Sequence, residues 1–107
     1  MGANIPPIVL VIHNGPSPGQ IYPVSDRPQT IGRGGSNDIV IPDKSISRLH
    51  ARVRLTPHGY VVEDLGSTNG TYWGPSGAAE TELQRLTQRK LLAAGDTVWI
   101  GGEKLSV

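Results

Sequence analysis

A chain of 107 residues is the size of one domain and is long enough to bury a single core. It has no cysteine, which excludes disulfide frameworks, thiolate metal sites and cysteine nucleophiles, and fits a reducing compartment such as the cytoplasm. Ten Lys plus Arg against nine Asp plus Glu leave a formal charge of +1, so no global field gathers nucleic acid or an anionic membrane, and any anion site must be local.

From the N-terminus, Met1 to Pro7 carries no targeting pattern, and no apolar run approaches the ~20 residues of a membrane span. Ile8 to Ile12 is a β-branched and Leu run that predicts a strand, closed by the turn-rich Asn14 to Gly19. Gln20 to Val24, Gln29 to Gly32 and Asp38 to Ile41 follow as three more strands. From Leu49 to Leu55 the apolar positions alternate, which puts Leu49, Ala51, Val53 and Leu55 on one face and His50, Arg52 and Arg54 on the other. A hairpin turn at Pro57-His58-Gly59 leads to a strand over Gly59 to Leu65, and Gly66 to Gly70 is the next loop. Thr71 to Trp73 is a short strand. Ala78 to Arg89 has the chain's one helical composition but is too short and too weakly periodic to predict a helix. Thr97 to Ile100 and Lys104 to Val107 close the chain as a hairpin about Gly101-Gly102. About ten to eleven short strands spaced by turns predict an all-β sandwich of two antiparallel sheets, one domain over 1–107 with its core over about 8–107. A chain ending inside a strand suggests a module of a longer protein.

Three segments concentrate polar residues where loops or strand ends are expected: Gly32-Arg33-Gly34-Gly35-Ser36-Asn37, Ser45-Ile46-Ser47-Arg48-Leu49-His50 and Ser67-Thr68-Asn69-Gly70-Thr71. They offer guanidinium groups, hydroxyls, an amide and backbone N–H groups, with almost no carboxylate. That inventory suits an oxyanion, phosphate above all.

In order and spacing these segments resemble the forkhead-associated (FHA) family, whose signature runs G-R, then S-x-x-H, then N-G, then a closing G-D-x-φ-x-φ-G with φ apolar. Here the counterparts are Gly32-Arg33, Ser47 to His50, Asn69-Gly70 and Gly95 to Gly101. The resemblance implies a phosphothreonine-binding interaction module acting downstream of a Ser/Thr kinase. In that role Arg33 would fork onto the phosphate, Ser47 would donate its hydroxyl, and Arg48 would add a second donor. Thr68 would contribute a hydroxyl or N–H, and Asn69 would hold the ligand's main chain. Gly32, His50 and Gly70 would be scaffold, and a small apolar pocket would take the threonine methyl. Lys44, Ser45 and the turn Gly101-Gly102-Glu103 are candidates for reading flanking residues. The implied partner is a phosphothreonine-containing protein or peptide, with no nucleic acid, no membrane and no cofactor, and a monomer is assumed.

Competing readings are weaker. Ser47 and His50 with Asp43 or Asp64 could be imagined as a catalytic triad, but no G-x-S-x-G elbow surrounds a serine, so no catalysis is expected. His13, His50 and His58 lack paired spacing, so no metal is expected. The glycine run at 32–35 lacks the Lys-Ser/Thr of a nucleotide-binding loop. Five basic residues between Arg33 and Arg54 come without aromatic platforms for bases. Tyr60, Tyr72, Trp73 and Trp99 are expected in core or rim packing. The alternative function is a phospho-independent docking domain that uses the surface around Trp73 and the segment from Gly77 to Arg89.

Overall fold

The computed structural model describes residues 8–12, 19–76, 82–101 and 103–106. Two sheets face each other. Strands β1 (Ile8–Ile12), β2 (Ile21–Val24), β7 (Thr71–Gly74), β8 (Gln84–Arg85), β10 (Thr97–Ile100) and β11 (Glu103–Ser106) form a six-stranded sheet in the order β2-β1-β11-β10-β7-β8. Strands β3 (Gln29–Gly32), β4 (Ile39–Val40), β5 (Ala51–Thr56), β6 (Gly59–Asp64) and β9 (Lys90–Leu91) form a five-stranded sheet in the order β4-β3-β5-β6-β9. Every pairing is antiparallel except β3 with β4, where Ile31 lies beside Ile39. The fold is the predicted all-β sandwich.

β-Branched side chains fill the space between the sheets because they fit a pleated, half-buried surface. Ile31, Ile39, Val53 and Val62 of one sheet meet Leu10, Val24, Val98 and Ile100 of the other, and Ile41 and Ile46 are buried with them from the loop that follows β4. Burial of each such side chain contributes about 1.5–3 kcal/mol. On the outer face of the five-stranded sheet, Arg52 and Arg54 converge on Glu63 at 2.7 and 3.1 Å. These half-exposed pairs hold Glu63 below the usual carboxylate range against the opposing effect of its burial, and they add little to stability.

Two expectations need correction. The alternation from Leu49 does not hold to its start: the strand begins at Ala51, Leu49 is 51% exposed and His50 is fully buried. The His50 ring finds two backbone partners inside, and that satisfies a buried polar group that the period-two pattern had turned outward. The second concerns residues 82–91, where no strand was predicted and β8 and β9 form. Each is two residues long and mostly polar, so no periodicity marks it; each forms because the edges of β7 and β6 present unpaired backbone groups. The first part of the weakly helical stretch, residues 78–81, lies outside the described residues.

The pairing registers bring four chain segments to one end of the sandwich. Ile31 at the end of β3 lies opposite Ala51 at the start of β5, which lies opposite Asp64 at the end of β6. In the other sheet, Thr71 at the start of β7 lies opposite Ile100 at the end of β10. The three polar segments and the turn at Gly101 therefore share that end.

Candidate functional site

Backbone pairing fixes the first loop against the second. Arg33 N donates to Ser47 O at 2.9 Å and Gly34 N to Arg48 O at 3.1 Å. The approach is so close that a Cβ on Gly32 would overlap the Arg48 carbonyl, which is why the residue before Arg33 is glycine. The Asn37 amide clamps the same corner, donating to Gly34 O at 2.7 Å and to Arg48 O at 2.6 Å.

The second loop is pinned from below. Ile41 and Ile46 are buried on either side of a turn in which Asp43 Oδ1 accepts from Ser45 N at 2.8 Å and Ser45 Oγ at 2.6 Å. With Ile46 facing inward, Ser47 and Arg48 are carried to the surface. Arg33 Nε donates to Ile46 O at 3.1 Å. That bond fixes the Nε edge of the exposed side chain, and its two terminal nitrogens have no partner among the described residues.

His50 joins the second loop to the third. Its Nδ1 accepts from Ser47 N at 3.0 Å and its Nε2 lies 2.9 Å from Gly70 O. An amide can only donate and a carbonyl can only accept, so the ring is neutral with its proton on Nε2. Burial lowers its pKa below the ordinary imidazole value, although the Gly70 carbonyl and the Asp64 charge pull the other way. Neither nitrogen faces Ser47 Oγ, which instead accepts from Thr68 N at 3.0 Å. A serine–histidine couple is therefore not formed.

Asp64 organises the third loop. Its carboxylate accepts from Gly66 N and Ser67 N, both at 3.0 Å, from Ser67 Oγ, and from Thr71 Oγ1 at 2.7 Å. Burial would raise its pKa, but these donors, those from Ser67 and Thr71 foremost, hold it below the usual range. Gly70 takes φ +84°, a left-handed conformation that suits glycine. From this loop Asn69 Nδ2 donates to Ser45 O at 2.7 Å, so the third loop is tied to the second at a further point.

Arg33, Arg48, Thr68 and Asn69 are exposed and Ser47 is half-exposed, so these five sequence candidates stand on one open crest. Two details narrow the expectation. The Thr68 N–H is spent on Ser47, so of the two groups expected of Thr68 the hydroxyl remains. One Asn69 N–H is spent on Ser45, which leaves the second N–H and the carbonyl oxygen for a ligand. The sequence reading assigned no role to Asn37, Ser67 or Thr71, and considered Asp64 only as a triad member. The Asp64-x-x-Ser67 spacing of a side-chain-capped turn was the available signal. Of the flank-reading candidates, Gly101 packs on Ser45: with φ +59°, a Cβ there would come within 2.5 Å of Ser45 O. Lys44 is exposed, and Gly102 lies outside the described residues.

Trp73 is not a free surface residue. It packs against the core, its Nε1 donates to Asp96 Oδ2 at 2.9 Å, and Lys90 Nζ caps its ring 4.1 Å from the centroid.

A family model described as the FHA domain matches residues 29–101, a span that holds all three loops and the closing hairpin strand β10. The chain belongs to the FHA domain family. Among curated proteins this FHA domain is similar to the glycogen accumulation regulator GarA of Mycobacterium tuberculosis, 33% identical over 97 residues that cover 91% of the chain and 54% of the relative. The chain spans about half the length of the curated relatives it matches. Among solved structures it resembles an FHA domain from work on phosphothreonine-dependent FHA domain interactions, with TM-score 0.77, 27% identity and 94% of each chain covered. It also resembles Mycobacterium tuberculosis EmbR in complex with a low-affinity phosphopeptide, with TM-score 0.71, 29% identity, and 92% of this chain and 24% of that one covered. No described helix is long and apolar enough to cross a membrane.

Proposed function

We propose that this FHA domain binds a phosphothreonine-containing segment of a partner protein and catalyses no reaction. The observation that carries the reading is the convergence of Arg33, Ser47, Arg48, Thr68 and Asn69 on one crest whose loops are fixed to each other before any ligand arrives. The Arg33 fork takes two phosphate oxygens. Ser47 Oγ, already accepting from Thr68 N, donates its own proton to a phosphate oxygen, and Arg48 supplies further charge. Asn69 holds the extended main chain beside the phosphorylated residue. Each charge-assisted hydrogen bond contributes about 1.5–3 kcal/mol, and because the loops are preorganised little of this is spent on ordering them. The domain is thus a cytoplasmic recruiting module: a kinase acting elsewhere adds about 1.5–2 negative charges to the partner and turns binding on.

The test is titration of the domain with one peptide in three forms, carrying phosphothreonine, phosphoserine or threonine, against wild type and Arg33→Ala. Phosphothreonine binds best, threonine shows no measurable binding, and Arg33→Ala weakens the phosphothreonine complex by about 10- to 100-fold. Equal affinity for phosphorylated and plain peptide, or full affinity in Arg33→Ala, sinks the reading. Among the described residues, Trp73 is engaged by Asp96 and Lys90, which does not favour it as the anchor of the alternative docking surface.

A further inference from the structure

Strand β8 brings a third cation to the edge of the crest. Arg85 lies opposite Tyr72 in the β7–β8 pair, and its guanidinium is laid on Gly70, so that a Cβ there would come within 2.8 Å of Arg85 Nε. Gly70 is the residue after Asn69, so the cation sits beside the path of any segment that Asn69 holds. Arg85 is exposed and has no ion-pair partner among the described residues, whereas Arg52 and Arg54 are both engaged by Glu63. Asp64, the carboxylate of the third loop, is occupied by four donors.

An open cleft adjoins Tyr72, the cross-strand neighbour of Arg85. Tyr72 pairs with Trp99 across β7 and β10, and these two rings, with Leu83 and Gly101, line a space of about 230 Å³ on the outer side of the six-stranded sheet. Its edges belong to the same corner: Gly101 N faces Gly70 O at 3.5 Å, and Leu83 stands two residues before Arg85. An uncompensated guanidinium beside an aromatic cleft suits a side chain with a carboxylate head and an aliphatic stem.

We propose that Arg85 and the Tyr72–Trp99 cleft form a flanking subsite that takes an acidic residue, best a glutamate, of the same phosphorylated segment. The inference rests on the phosphothreonine reading and adds to it the chemistry of a neighbouring ligand residue. The glutamate carboxylate meets the Arg85 fork while its methylenes cover the Tyr72 and Trp99 rings. An extended chain advances about 3.3 Å per residue, so the acidic residue lies within about four positions of the phosphothreonine.

The experiment scans glutamate, and separately lysine, through the four positions on either side of phosphothreonine in an otherwise neutral peptide. Affinities are measured on wild type, Arg85→Gln and Arg85→Glu, with denaturation midpoints confirming that both variants fold. In wild type, glutamate at one position tightens binding by about three- to five-fold over the neutral parent. That gain disappears in Arg85→Gln, and Arg85→Glu prefers lysine at the same position, while the neutral parent binds all three proteins alike. No favoured position for glutamate, or a glutamate gain that survives in Arg85→Gln, overturns the subsite and leaves the phosphothreonine reading standing if the parent still binds. Equal weakening of every peptide in Arg85→Gln means that Arg85 only packs on the Gly70 turn, which also overturns it. Failure of the parent to bind wild type overturns both.

Discussion

At the scale of single residues, the candidate site depends on groups that lie behind its exposed side chains. His50 holds Ser47 N and Gly70 O at once, so its removal leaves the part-buried Ser47 amide unpaired, leaves Gly70 O with only the 3.5 Å bond from Gly101 N, and opens a cavity. His50→Ala is expected to cost about 3 kcal/mol in denaturant unfolding. Its depressed pKa also gives a pH dependence with a definite sign. Above the ordinary imidazole value of about 6.5 the ring is neutral in both folded and unfolded chains and its contribution is complete. As pH falls below that value the unfolded chain takes up a proton that the folded ring resists, so stability declines until the lower folded pKa is passed. Asp64 and Glu63, also depressed, withdraw their contributions at lower pH, as it falls from the ordinary carboxylate values towards their lowered ones. Denaturation at pH 7.5 and 5.5 should therefore show a loss at the lower pH, and a flat result would contradict the neutral, buried imidazole. At Gly32 the constraint is steric: Gly32→Ala forces the Arg48 carbonyl away and with it the pairing that positions Arg33. It is expected to lower both stability and phosphopeptide affinity, measured by the same two assays.

At the scale of elements, the loop between β4 and β5 shows how packing becomes recognition. Ile41, Ile46 and His50 point inward while Ser47 and Arg48 point out, so a short irregular segment holds its shape through its own buried side chains. Ile46→Ala is expected to destabilise the fold by about 2–5 kcal/mol. It is also expected to weaken phosphopeptide binding in the fraction that stays folded, because the Ile46 carbonyl orients Arg33. A variant with reduced stability but unchanged affinity would separate the loop's packing from its function. The edge strands teach the opposite lesson. β8 is specified by the open edge of β7 and by Leu86 N donating to Thr71 O at 2.8 Å, more than by its own composition.

At the scale of the whole molecule, a formal charge of +1 means that the proposed attraction for a phosphorylated partner has to come from a local cluster on one end of the sandwich. Binding should weaken with added salt, because exposed charges are screened over about 8–10 Å at moderate ionic strength. It should also weaken as pH falls through about 6, where the phosphate regains its second proton. Titrations at pH 7.5 and 5.5 that gave equal affinities would remove phosphate as the anchor. His50 acts on folding in the same pH window, so the fraction folded must be measured beside affinity at each pH.

The amino-acid sequence by itself determined the all-β class, most strand positions and the three polar loops, because period-two patterning, turn residues and motif spacing are local properties. It also offered Arg33, Ser47, Arg48, Thr68 and Asn69 as candidates, since their identities and order are readable without coordinates. Only the tertiary structure decided which side each group faces. It turned His50 inward and Leu49 outward, engaged the Thr68 N–H with Ser47, made Asp64 the centre of the third loop, and turned Trp73 to the core. It also carried Arg85, unremarkable in sequence, onto Gly70. Asp64 apart, whose donors all lie within the next seven residues, those outcomes follow from partners 15 or more residues away or from the demand of a buried polar group, and no local pattern encodes either.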